Sequence, residues 1–301
     1  MILPKSALIT DVSPRDGLQS EGASIPTDDK VRLINALAHT GIRRIEVTSF
    51  VHPKIVPSMA DADEVFRRIE RVAGVSYQAL VPNVRGADRA IAAGADELNV
   101  VLSTTEGFNL RNLNMTVAES IETFRAVAEV ARAAGLRAEV GLSVVFGCPY
   151  DGPVGLREVL DVTDRLIEAG AEEILFADTI GVANPRQVTE TVESIRARWP
   201  KLNIGLHFHD TRGLGIANVL SGLEAGVNRF DASVAGIGAC PFAPGATGNV
   251  CTEDTVHMLE SMGVNTGIDL EALIDCARVA RELVRHEVPS RLLRAGAWRV
   301  P

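Results

Sequence analysis

The chain has 301 residues, 46% hydrophobic and 4% aromatic, and its 39 acidic and 30 basic side chains leave a net charge of -9. That length suits one or two domains of roughly 100–200 residues, or a single α/β barrel of about 250 with additions. An acidic balance without a dense Lys/Arg run argues against nucleic acid or an anionic membrane as partner and favours a small molecule.

No apolar stretch reaches the ~18 residues of a membrane span. The apolar start is interrupted by Pro4 and Lys5 and does not read as a secretory leader. Four cysteines, Cys148, Cys240, Cys251 and Cys276, contain no CxxC pair, which fits a reducing compartment and predicts a cytoplasmic protein.

Along the chain the phrases HTGIRRIEV, VAGVSYQAL, AAGADELNV, AAGLRAEVG, EAGAEEILF and EAGVNRFDA recur. Each reads as a helix end feeding a strand, with Gly41, Gly74, Gly94, Gly135, Gly170 and Gly226 where a helix C-cap needs positive φ. Strands are predicted near residues 7–12, 44–49, 76–81, 97–102, 138–144, 173–178, 203–208 and 229–234. Helices fill the gaps, for example Thr27 to Leu37 with Thr27 as N-cap, and Val117 to Ala134. Nearly continuous apolar strands alternating with helices imply a parallel sheet buried on both faces. Eight such units predict an α/β fold, a (β/α)8 TIM barrel with additional C-terminal helices. An open doubly wound sheet would want a Gly-rich phosphate loop after its first strand, and none is there. The expected organisation is one domain over 1–301, with the barrel over about 7–265 and a helical extension over about 266–301.

In this fold the reacting groups lie at the C-terminal ends of the strands. There the sequence places Arg15 and Asp16 after strand 1, Glu46 and Ser49 on strand 2, Asn83 after strand 3, and Ser143 and Cys148 after strand 5. Asp178 ends strand 6, His207, His209 and Asp210 lie on strand 7, and Cys240 and Asn249 follow strand 8.

His207 and His209, two apart on a strand, share a face and can bind one ion, although an isolated HxH is as often a satisfied core histidine. Asp16 and Asn249 can add oxygen ligands, and such a mixed set suits Mg2+ or Mn2+ better than a closed thiolate zinc site. Arg15 can stabilise an enolate oxygen and can also be the partner that a carboxylate at Glu46, in an apolar strand, requires. Cys240 lies in the Gly/Pro-rich loop 236–249 and can serve as an acid or base, whereas Cys251 and Cys276 read as small buried hydrophobes. None of the lysines, Lys5, Lys30, Lys54 and Lys201, lies in a predicted strand, which disfavours Schiff-base chemistry.

The segments SPRDGLQSE, IEVTSFVHPKIVPSM, ADTIGVANP, HFHDTRGLGIANV and DASVAGIGACPFAPGATGN, in that order, resemble the hydroxymethylglutaryl-CoA lyase family of the wider metallolyase superfamily. The likeness spans about residues 9–265. It implies a (β/α)8 barrel, Mg2+ or Mn2+ held by Asp16, His207, His209 and Asn249, and a catalytic set of Arg15, Glu46, Asp178 and Cys240, with His207 as a candidate proton shuttle. Ser49, Ser143 and Asn83 are the expected substrate contacts. The implied reaction is retro-Claisen cleavage of 3-hydroxy-3-methylglutaryl-CoA to acetyl-CoA and acetoacetate, a step of leucine catabolism and ketone-body formation. An acyl-CoA substrate and a homodimer or higher homo-oligomer are the expected partners.

The chain departs from the family pattern at Ala239 and Phe242 beside Cys240, at Gly141 two residues before Ser143, and at Arg212 after the HDT triplet. Those changes predict a larger or recharged pocket and a bulkier 3-hydroxy-3-acyl-CoA substrate. Lys54, Arg111 and Arg212 are the candidates for the CoA phosphates. The alternatives are a condensing synthase of the isopropylmalate or citramalate type, and a non-catalytic barrel that binds acyl-CoA.

Overall fold

Eight parallel strands close in chain order into a barrel in the computed structural model, which describes residues 3–21, 25–238 and 248–298. They are β1 (Leu8–Asp11), β2 (Arg44–Ser49), β3 (Ser76–Leu80), β4 (Glu97–Ser103), β5 (Arg137–Ser143), β6 (Glu173–Asp178), β7 (Asn203–Phe208) and β8 (Arg229–Ala232). β8 pairs with β1 in parallel register, Leu8 opposite Arg229, and no edge is left open. Each predicted strand overlaps an observed one.

Helices cover the outside because every second strand residue is apolar and points outward. Ile45, Val47, Leu98, Val100, Val140, Leu142, Ile174, Phe176, Ile204 and Leu206 are buried in one continuous core. Full burial of side chains of this size contributes about 1.5–3 kcal/mol each.

The inward positions correct the expectation of apolar strands. Arg44 on β2 forms ion pairs with Glu97, Glu139 and Glu173 on β4, β5 and β6, and Arg229 on β8 pairs with Glu139 and Glu173. Strands that are not neighbours meet this way only through the barrel interior. The lower barrel is therefore filled by a buried ion network, where loss of a single partner costs about 3–5 kcal/mol.

Two local readings also change. The helix Thr27–Ala38 begins after Pro26, so Thr27 is its first residue and not its cap; its hydroxyl donates to Asp61 Oδ2 at 2.7 Å instead. All six glycines of the repeat have positive φ, but Gly74 lies in a turn well beyond the helix Ala62–Arg68 and caps nothing. Helices Thr252–Ser261, Leu270–Val284 and Arg291–Ala295 follow β8, and Leu270–Val284 packs on both Thr27–Ala38 and Thr252–Ser261. Among the described residues no helix is long and apolar enough to cross a membrane.

Candidate active site

β1 ends at Asp11, and the chain then makes one π-helical turn, Ser13–Gly17, with Pro14 at its start. Asp11 anchors that turn. Its Oδ1 accepts from Ser13 N and Oγ at 2.9 and 2.5 Å, and its Oδ2 accepts from Val234 N and Thr252 Oγ1 at 3.1 and 2.6 Å. The exit of β1 is thereby tied to the segment after β8. A Cβ at Gly17 would lie 2.7 Å from Ile237 Cγ1, so this close approach requires glycine.

The turn places Arg15 between two carboxylates. Its Nε donates to Glu46 Oε2 at 2.5 Å and its Nη1 to Asp16 Oδ1 at 2.6 Å. Glu46 is fully buried, and its other oxygen accepts from Asn99 Nδ2 at 2.8 Å. Burial works against the charge on Arg15, but Glu46 and Asp16 outweigh it and hold the guanidinium protonated. Burial pushes the Glu46 carboxyl up against the same pairing. The predicted Arg15–Glu46 contact is present.

His207 on β7 and His209 just beyond it have ring centroids 5.2 Å apart. Asp16, His207 and His209 each offer a ligand atom, all within 4.8 Å of one another. Burial disfavours ionisation of Asp16, yet Arg15 and then His207 pull its carboxyl well below the usual range. Burial pushes His209 down to about 4, so its ring is neutral at pH 7 and keeps a lone pair. Among the described residues, His209 Nδ1 and Asn249 Oδ1 are buried without a hydrogen-bond partner. Asn249 reaches the cluster through an antiparallel bridge to His209, and its Nδ2 donates to Asp16 Oδ2 at 2.7 Å and to Ile237 O at 3.1 Å. Two buried lone-pair atoms left unsatisfied beside an ionised carboxylate fit a divalent cation.

Asp178, at the end of β6, accepts from Val182 N and Ala183 N at 2.9 and 3.0 Å. Burial nevertheless pushes its carboxyl up to about 6. Ser49 and Ser143 end β2 and β5 on the same rim, both buried. Asn83 instead caps the helix Val84–Ala93, its side-chain oxygen accepting from Gly86 N at 3.0 Å. Cys148 is tied into its own loop, its Sγ accepting from Thr105 Oγ1, Tyr150 N and Asp151 N, and packs with Phe108 and Val144. Cys240, Ala239 and Phe242 lie outside the described residues.

Of the candidates for CoA phosphate, Arg212 donates to Ile180 O and Gly181 O, and Arg111 lies over the Tyr150 ring and donates to Gly107 O. At Gly141 a Cβ would meet Val101 Cγ2 at 3.2 Å and Asn99 Oδ1 at 3.5 Å, so the position faces the Asn99–Glu46 pair. Three buried polar groups around the site were missed from the sequence: Asp11, Asn99 and Asp231, the last 3.3 Å from His207 Nδ1. The signal was available for Asn99 and Asp231, since each sits two residues from another charged inward position, Glu97 and Arg229.

A family profile described as HMGL-like matches residues 7–280. The chain is 45% identical to a hydroxymethylglutaryl-CoA lyase of Bacillus subtilis over 293 residues, 97% of this chain and 98% of that protein. It is 41% identical to the mitochondrial hydroxymethylglutaryl-CoA lyase of Gallus gallus, again over 97% of this chain and 98% of the relative. The solved structure of an HMG-CoA lyase from Acinetobacter baumannii, in complex with coenzyme A and 3-methylmalate, superposes with a TM-score of 0.93 at 43% identity, covering all of both chains. Carboxyl transferase domains of a Rhizobium etli pyruvate carboxylase share only the fold, at 22% identity and a TM-score of 0.73. With its profile match and full-length relatives, the chain belongs to the hydroxymethylglutaryl-CoA lyase family.

Proposed function

We propose that the protein cleaves 3-hydroxy-3-methylglutaryl-CoA to acetyl-CoA and acetoacetate, with Mg2+ or Mn2+ bound by Asp16, His207, His209 and Asn249. The observation that carries this reading is the Arg15 guanidinium, pinned between Glu46 and Asp16 beside three convergent ligand groups. A cation bound there supplies Lewis acidity that makes a chelated hydroxyl easier to ionise.

The remaining work falls to the side chains. Asp178, with its carboxyl raised to about 6, is ionised at neutral pH and basic enough to take the C3 hydroxyl proton. As the C3–O electrons form the ketone, the C2–C3 bond breaks and its electron pair moves into the thioester, where Arg15 stabilises the enolate oxygen. Glu46, held by Asn99, fixes the guanidinium so that little reorganisation is needed as charge develops. Cys240 returns a proton to C2 and releases acetyl-CoA. Ser49 and Ser143 hold the substrate carboxylate from the rim, while Asn83, its oxygen already accepting one bond as a helix cap, offers its side-chain N–H groups to the substrate.

The cytosol is the compartment we assign, supported by the three described cysteines, Cys148, Cys251 and Cys276, which are all free. A homodimer is the assembly we expect, as the commonest closed form of soluble enzymes. The test is product analysis: acetyl-CoA and acetoacetate formed in equal amounts from the methyl substrate support the reading. Faster cleavage of a longer 3-alkyl analogue would move the substrate to the bulkier thioester that Gly141 allows, and no cleavage of either would overturn the assignment.

A further inference from the structure

β7 and β8 are paired so that His207 lies directly opposite Asp231. In a parallel pair, residues in register point to the same face, and both side chains here enter the barrel and are buried. His207 Nδ1 lies 3.3 Å from Asp231 Oδ2. An ionised carboxylate can only accept, so the contact is a hydrogen bond when Nδ1 carries the proton. A proton on Nδ1 leaves the lone pair of the neutral ring on Nε2.

We propose that Asp231 is a positioning residue for the cation site: it accepts the Nδ1–H of His207, fixes that tautomer and ring orientation, and leaves Nε2 as the ligand nitrogen. The inference rests on the reading of Asp16, His207, His209 and Asn249 as the cation-binding set and adds a member that touches neither cation nor substrate. A ligand histidine commonly gives its second N–H to a carboxylate, and loss of that carboxylate weakens metal affinity about 10–100-fold.

At His209 the nitrogen without a partner among the described residues is Nδ1, the atom already counted toward the cation. The two imidazoles are therefore unequal: His207 has Asp231 behind its Nδ1, whereas His209 presents an unpaired Nδ1 and has its backbone bridged to Asn249. Arg15, Glu46 and Arg229 are close enough to feel the Asp231 charge. A purely charge-balancing role for Asp231 would act on those groups and leave the His207 tautomer alone.

Two measurements on the full chain separate these roles. Nitrogen-15 spectra of histidine-labelled, metal-free wild-type protein should show His207 protonated on Nδ1; protonation on Nε2 overturns the proposal without any variant. Calorimetric titration with Mn2+ should give a dissociation constant about 10–100-fold weaker in Asp231→Asn than in wild type, with His207 no longer locked on Nδ1–H. Equal affinities would contradict the role of Asp231 while leaving the site intact. A wild-type chain that binds no Mn2+ would contradict the site itself.

Discussion

Asn249 donates its amide nitrogen to Asp16 Oδ2 at 2.7 Å, joining the turn after β1 to the segment after β8 across 233 positions of chain. Among the described residues the same amide leaves Oδ1 buried and unpaired, beside a carboxylate that Arg15 holds ionised. Removal of the amide should therefore cost cation affinity. Asn249→Ala is expected to weaken Mn2+ binding by about one to two orders of magnitude in calorimetry; an unchanged dissociation constant would remove Asn249 from the ligand set.

Arg15 makes two directional contacts from one planar group, Nε to Glu46 and Nη1 to Asp16. A lysine at this position keeps the charge but has no planar fork for both. Arg15→Lys should lower kcat about 10²–10³-fold, the usual cost of losing one preorganised donor at a developing oxyanion. Circular dichroism should be unchanged. A kcat near wild type would show that the planar guanidinium is not needed.

Asp178 should govern the acid limb of turnover. Burial raises its carboxyl to about 6, and the base is active only when ionised, so the rate should fall as pH drops through about 6. In Asp178→Asn the rate should be at least about 100-fold lower and this limb should vanish. Persistence of the limb in the variant would assign it to another group.

Glu253, outside the ligand set, provides a stability signature. Both its oxygens accept from Ala235 N at 3.1 Å. Burial, aided by the nearby Asp254 charge, pushes its carboxyl up to about 7 from an ordinary 4.5. Between those values the folded chain binds more protons than the unfolded chain, so this contribution is complete below about pH 4.5 and is lost as pH rises through about 7. The change is of order 1–3 kcal/mol. In urea melts at pH 5 and pH 8, Glu253→Gln should gain on wild type by that order as pH rises. An equal stability difference at both pH values would contradict it.

The fold was legible because its signals are local. Gly94, at φ 92°, caps the helix Val84–Ala93 and feeds β4, and the same phrase recurs before five other strands. The candidate cation ligands were legible because strand periodicity puts His207 and His209 on one face and the barrel rule puts Asp16 and Asn249 on the same rim. Asp11 was not, because it acts through partners on another loop, and for Asp231 and Asn99 the sequence offers the inward position but not the partner on another strand. The register that sets His207 opposite Asp231 is a property of the closed sheet. Cys148 shows that a strand-end loop does not suffice for a role: its thiol is engaged by Thr105, Tyr150 and Asp151.

The central claim is that Asp16 and its imidazole neighbours form the cation site of a carbon–carbon lyase. Its most direct test is the initial rate of acetyl-CoA release from 3-hydroxy-3-methylglutaryl-CoA by chelator-treated protein, with and without added Mg2+ or Mn2+, in wild type and Asp16→Asn. Wild type should release acetyl-CoA only when cation is added, and the variant none above background under either condition. Release that is indifferent to cation, or retained in Asp16→Asn, would contradict it.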